Sequence, residues 1–211
     1  MKLTVFGATG GTGVEVVRQA LALGHQVTAV VRDPARLEVP DHEQLEVFRA
    51  NVFEPAELIA AVSGREVVVS ALGPRGRGPT TVCRDGAASV MSAMDTAGVR
   101  RLLVVSNSGM HTEGDGVFTR RIVKPILIRV LREGYLDMQA MEDGVVASRL
   151  QWTIVRPPRL TGGPHTGRIA SSIGRNVRGS FSISRANLAD YLLRAAADDA
   201  LIGKAVSVAN G

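Results

Sequence analysis

The chain has 211 residues, 45% of them hydrophobic and 21% charged, which suits one folded domain with a sizeable core and excludes a disordered chain. No apolar run approaches the ~18–20 residues of a membrane span and the N-terminus has no signal-peptide pattern, so a cytoplasmic protein without a membrane partner is expected. The net charge of +5 comes from the second half, where residues 99–211 hold 16 basic and 9 acidic side chains, but these are scattered and few aromatics accompany them, so no nucleic-acid partner is expected.

Residues 2–6 are apolar and β-branched enough to form a short buried strand, and Gly7, Gly10 and Gly13 follow at once. From Gly11 onward the spacing becomes helical. Strand, glycine turn and helix together open a dinucleotide-binding βαβ unit, in which glycines let the backbone approach a pyrophosphate and the helix N-terminus faces it with free N–H groups. The second strand falls at residues 26–31 and exits into Arg32-Asp33-Pro34-Ala35-Arg36. An acid at this exit usually grips a ribose diol, whereas arginine answers a 2′-phosphate, so Arg32 and Arg36 favour NADP over NAD. Asp33 is open to two roles, capping the helical turn begun by Pro34 or binding the ribose; capping is favoured.

A third strand at 45–48 exits into Ala50-Asn51-Val52, where an amide and a valine would suit adenine. A helix is expected over 55–62 and a fourth strand over 66–71, exiting into Leu72-Gly73-Pro74-Arg75-Gly76-Arg77. Gly73 permits backbone approach, and Arg75 and Arg77 suit a phosphate or an acidic substrate. Thr80 or Thr81 caps a helix over 82–97 that stops at Gly98. The fifth strand, 101–105, runs into Ser106-Asn107-Ser108-Gly109, beside the expected nicotinamide. A long helical stretch over about 118–148 follows, broken near Gly134. The sixth strand, 152–156, ends at Pro157-Pro158, a rigid wall for a flat ring, with Arg159 facing the pocket and Arg156 in a structural ion pair. A short strand at 181–183, a helix over 187–197 and a strand at 205–208 that closes the sheet complete the chain.

Continuous apolar strands alternating with helices predict an α/β fold: a single Rossmann-type doubly wound parallel sheet of about seven strands with helices on both faces. One domain spans residues 1–211, with substrate-side loops at about 107–118 and 157–182. Cys83 stands alone and His25, His42, His111 and His165 lack ligand spacing, so no metal site is expected. Tyr135 has Gln139 where a Tyr-x-x-x-Lys dyad needs lysine. Met138 and Met141 are expected in the core, and Glu142 either in a helix ion pair or along the substrate cavity.

Five motifs in register, residues 7–13, 31–36, 71–73, 79–81 and 155–158, together resemble an atypical short-chain dehydrogenase/reductase of the NAD(P)H-binding, NmrA-like type that includes flavin reductase/biliverdin-IXβ reductase. The resemblance covers essentially the whole chain and implies NADP(H) as cofactor. It implies that Gly7, Thr9, Gly10, Gly11 and Thr12 hold the pyrophosphate, and Arg32 and Arg36 the 2′-phosphate. Asn51 and Val52 would flank adenine, with Leu72, Gly73 and Arg75 on the ribose and phosphate side. Ser106 or Asn107, with Pro158, Arg159 and Leu160, would border the nicotinamide. This chain departs from the family in carrying Asn51 where Asp is common, and from its flavin reductases in Ser106-Asn107-Ser108 at the end of the fifth strand and in Arg159 for histidine.

The function expected is an NADPH-dependent reductase transferring hydride to a planar acceptor of the flavin, quinone or tetrapyrrole class. Ser106 and Ser108 are the candidate catalytic groups, with Arg75 or Arg159 stabilising an anionic acceptor. The alternative is a non-catalytic NADP(H)-binding redox sensor that passes its state to a partner protein. Sugar-nucleotide epimerase chemistry is disfavoured by the missing tyrosine–lysine pair.

Overall fold

The apolar runs found in the sequence become the middle of one sheet. The protein was analysed as a computed structural model, which describes residues 1–74, 76 and 78–211. In chain order the strands are β1 (Lys2–Phe6), β2 (Gln26–Val31), β3 (Leu45–Arg49), β4 (Val67–Ser70), β5 (Arg101–Val105), β6 (Gln151–Arg156), β7 (Arg159–Thr161), β8 (Ile169–Ile173), β9 (Ser182–Ser184) and β10 (Lys204–Asn210). The helices are α1 (Gly11–Ala22), α2 (Pro55–Val62), α3 (Val82–Ala97), α4 (Lys124–Val130), α5 (Arg132–Ala147) and α6 (Arg185–Ala196).

The main sheet has eight strands in the order β3-β2-β1-β4-β5-β6-β10-β8. Every pairing in it is parallel except the last, where β8 runs antiparallel to β10. The chain reverses direction across the sheet between β1 and β4, and such a reversal opens a crevice at the carboxyl ends of the strands. Alternation along β1 divides the core. Leu3 and Val5 pack with Val16 of α1 and Leu188 and Leu192 of α6, while Phe6 packs on the other face with Leu58, Val90, Met94 and Val145. Met141 is buried in that second cluster and Met138 packs against it.

Three expectations need correction. The helical stretch breaks at Leu131, not near Gly134, which lies in the first turn of α5; before the break, residues 119–123 form a π-helical turn leading into α4. β10 does not close the sheet, because β8 lies outside it; its sequence, IASSI, lacks the apolar run that marked the buried strands. The glycine-rich segment after Pro158 also contributes β7, which pairs in parallel with β9 as a separate two-stranded sheet. Phe181 precedes that strand and is exposed. Among the described residues no helix is long and apolar enough to cross a membrane.

Candidate cofactor site

The turn between β1 and α1 is built by glycines that no other residue can replace without moving backbone. Gly7 has φ +75°, and a Cβ there would stand 2.5 Å from the Ala71 carbonyl oxygen. A Cβ on Gly13 would fall 2.2 Å from the Gly7 carbonyl oxygen. The turn therefore draws β1, α1 and the exit of β4 together. Gly10 is the N-cap of α1 and has no side chain with which to cap it, and no acid stands in the first turn. By contrast, Ser184 caps α6 through the Asn187 N–H. An uncapped, glycine-lined helix start fits an anion such as a pyrophosphate.

The crevice above this turn has a volume of about 940 Å³. Gly7, Thr9, Gly10, Gly11, Thr12, Arg32, Arg36, Val52, Leu72, Gly73 and Leu160 of the expected cofactor set all line it. Arg32 and Arg36 are exposed at one side. Between them, Asp33 spends one carboxylate oxygen on the Ala35 N–H, 3.1 Å away, capping the short 3-10 turn of Pro34–Arg36 as favoured from the sequence. Arg75, and Arg77 beside it, lie outside the described residues.

Five expected residues are not among those lining the crevice: Asn51, Ser106, Asn107, Pro158 and Arg159. Each of the two asparagines is occupied locally. Asn51 Oδ1 accepts from the Phe53 N–H at 3.2 Å, and its own N–H donates to Glu57 at 2.8 Å. Asn107 Oδ1 accepts from the Gly109 N–H at 2.5 Å, capping the turn of Ser108–Met110. Arg159, expected to face the pocket, is exposed at the start of β7, and its neighbour Leu160 lines the crevice instead. Pro158 accompanies it, and the Pro157 carbonyl is held by the Ser108 N–H at 2.9 Å.

Ser106 belongs to a second, buried cluster at the exits of β5 and β6. Glu142 receives two hydrogen bonds from Arg156, at 3.0 and 2.5 Å, which makes Arg156 the structural ion pair expected. His111 Nε2 stands 3.4 Å from the same carboxylate, and the Ser106 hydroxyl lies beside it without completing a hydrogen bond. Burial alone would raise the Glu142 pKa, but the contacts from His111, Arg156 and Ser106 outweigh it and hold the carboxyl at about 2. Beside this cluster, buried Lys124 donates to the Ser108 and His111 carbonyls at 2.6 and 2.5 Å and stands 3.3 Å from Asp115. Burial pushes its ammonium pKa down. Asn176 ties the same loop, donating to the His111 carbonyl and to Asp115 at 2.7 and 3.0 Å. The Tyr135 ring packs on Gly109 so closely that a Cβ there would meet its hydroxyl at 2.2 Å, and burial raises the phenol pKa.

Sequence reasoning missed several of these groups. Arg185, the first residue of α6, lines the crevice and lies across Gly11, where an added Cβ would be 2.7 Å from its Cδ. It is more than 170 residues away in sequence, and no local pattern announces it. Asp137 was equally silent. Its two carboxylate oxygens accept from the Cys83 and Arg84 N–H groups, each at 2.9 Å, and so cap α3 more fully than Thr80, whose hydroxyl accepts from Val82 at 3.3 Å. Burial and the adjacent Asp137 push the Cys83 thiol up to about 12, which removes it as a nucleophile.

Comparison with known proteins agrees with this geometry. The family described as NAD(P)H-binding matches residues 7–199. An uncharacterised chloroplastic protein of Arabidopsis thaliana is 31% identical over 179 residues, covering 80% of this chain; the chain spans 62% of that relative's length. A short-chain dehydrogenase/reductase (wide type) of Veillonella parvula, solved in complex with NADP, shares the fold at a TM-score of 0.83 and 21% identity, covering 99% of this chain and 94% of its own. An anaerobilin reductase of Escherichia coli O157:H7 superposes at a TM-score of 0.77 and 23% identity, covering 100% of this chain and 97% of its own. With glycine turn, crevice and family match in agreement, this chain belongs to the NAD(P)H-binding family.

Proposed function

We propose that the protein is an NADPH-dependent reductase acting on a planar acceptor of the flavin, quinone or tetrapyrrole class. The observation that carries the reading is the pair Arg32 and Arg36 on the crevice wall, with the one acid between them turned to a backbone N–H. A dianionic 2′-phosphate suits two guanidiniums, and Asp33 has one of its two carboxylate oxygens engaged by the Ala35 N–H. The uncapped start of α1 holds the pyrophosphate, Arg185 closes over it from α6, and Val52 and Leu72 pack the adenosine.

NADPH, when bound, supplies the hydride. The chain's part is to orient the acceptor and exclude competing geometries. Lys124 and Asn176 hold the loop after β5 by its carbonyls, which keeps Ser106 and Ser108 at fixed positions beside the β5 exit. Ser106 and Ser108 are buried and off the crevice wall, so they brace the acceptor end from behind, and the proton comes from water. The Escherichia coli anaerobilin reductase of the same fold keeps bilin-type acceptors within the class. A cytoplasmic location goes with this reading.

Purified protein, NADPH and a panel of flavins, quinones and bilins test it. Oxidation of NADPH with at least one acceptor supports the reductase. Binding of NADPH without oxidation by any acceptor would replace it with the redox-sensor alternative, and absence of NADPH binding would remove both.

A further inference from the structure

Eight of the fifteen exposed large hydrophobic side chains among the described residues fall in fifteen consecutive positions, 117–131. Val117, Phe118 and Val130 are each more than 60% exposed, and Ile122 and Ile126 at least half exposed. Soluble surfaces scatter such residues singly, so a contiguous run of this size marks a binding surface. The run is also basic. Residues 117–132 contain four arginines and Lys124, and no acid.

The geometry turns this face away from the body. Lys124 is buried, with its ammonium fixed on the Ser108 and His111 carbonyls and beside Asp115. At two residues' distance, Ile126 lies about 200° around the helix from that anchor, so the anchor and the apolar stripe Ile122–Ile126–Val130 occupy opposite sides. Arg120, Arg121, Arg129 and Arg132 are exposed around the stripe. The segment is therefore held to the protein by one buried cation and presents apolar and cationic side chains together to the outside.

We propose that residues 117–132 dock the protein on an anionic lipid surface, with the apolar stripe in the acyl boundary and the arginines among the headgroups. An apolar stripe flanked by arginines is the composition of an interfacial helix. A second copy of the chain is a poorer occupant, because it would bring two net-cationic surfaces together, even with Arg132 paired to Glu133 at 3.5 Å. This is a surface-lying mode and needs no spanning helix. Its exposed side chains also stand apart from the reductase reading, since none of them lines the crevice; only the buried Lys124 belongs to both.

The test is co-sedimentation of the full chain with vesicles of phosphatidylcholine alone or of phosphatidylcholine and phosphatidylglycerol in equal parts. Binding to the mixed vesicles only, weakened by salt, is expected. Ile126→Glu with Val130→Glu should abolish it, and each of Arg120→Gln, Arg121→Gln and Arg129→Gln should reduce partitioning about five-fold. NADPH affinity should stay at its wild-type value throughout. No binding to mixed vesicles, or equal binding to both kinds, overturns the proposal. So does a lipid-free dimer that the Ile126→Glu/Val130→Glu variant converts to monomer, which would make this face a contact between copies. If the glutamate variant melts early, the three surface glutamine variants decide alone, and unchanged partitioning in all of them counts against the proposal.

Discussion

The exits of β1 and β2 and the exits of β5 and β6 treat their polar groups in opposite ways. At the first, α1 begins without a side-chain cap, and Arg32 and Arg36 project into an open crevice. At the second, the charges are answered inside the protein, Glu142 by Arg156 and Lys124 by two carbonyls and Asp115, and the neutral Asn176 amide is taken up by the loop it ties. A helix start and two cations left open are arranged for an anion from outside. A set of buried charges answered from within is arranged to hold a loop in one shape. Changes at the first end should therefore register in binding, and changes at the second in stability.

The largest expected effect is on the closed side. Glu142→Ala leaves the Arg156 guanidinium buried without its carboxylate and should cost about 3–5 kcal/mol in urea unfolding. An effect under 1 kcal/mol would mean the cluster is not a structural clasp. The same carboxylate sets an acid dependence. Its folded pKa of about 2 lies below its ordinary value, so its contribution is complete above that ordinary value and is lost as pH falls toward 2. With a shift of that size the loss is about 3 kcal/mol, and the Glu142→Ala variant should show a correspondingly flatter pH profile between about 4.5 and 2.

On the open side, Gly13→Ala sets a methyl against the Gly7 carbonyl. It should cost about 1–3 kcal/mol of stability and remove detectable nucleotide binding in calorimetry. Arg32→Ala with Arg36→Ala should leave the melting temperature unchanged and weaken NADPH about ten- to hundred-fold, with NADH affected much less. Equal losses for both nucleotides would contradict the 2′-phosphate assignment. The smallest effect belongs to Asp33→Ala, which removes one exposed cap and should cost no more than about 1 kcal/mol. A large loss of NADH binding in that variant would instead return Asp33 to the ribose.

How much of this was legible depended on range along the chain. β1, α2, α3 and β5 appear with the bounds that their apolar spacing and terminal glycine or proline signals mark. Asp33 as a cap and Arg156 as an ion-pair donor were also readable, one from an adjacent proline and the other from a lone charge ending a buried strand. The break at Leu131 was misplaced, because Gly134 is the stronger local breaker and the π turn before α4 leaves no mark in hydrophobic period. β8 escaped because an edge strand needs no continuous apolar run. The amides named for the adenine and nicotinamide ends were the least legible. Asn51 and Asn107 were named for chemistry their side chains spend on neighbouring N–H groups, a competition that residue type alone does not reveal.

By itself the sequence determined the doubly wound class, the glycine turn and the arginines at the second exit. Each of these is encoded within a few consecutive residues, where backbone freedom, burial period and charge act locally. Only the tertiary structure decided that Arg185 lies over Gly11, that Asp137 caps α3, and that Lys124 and Asn176 pin the loop after β5. Those contacts join elements distant in sequence, and the energy that selects them, burial of a charge with its partner, exists only once the elements have packed.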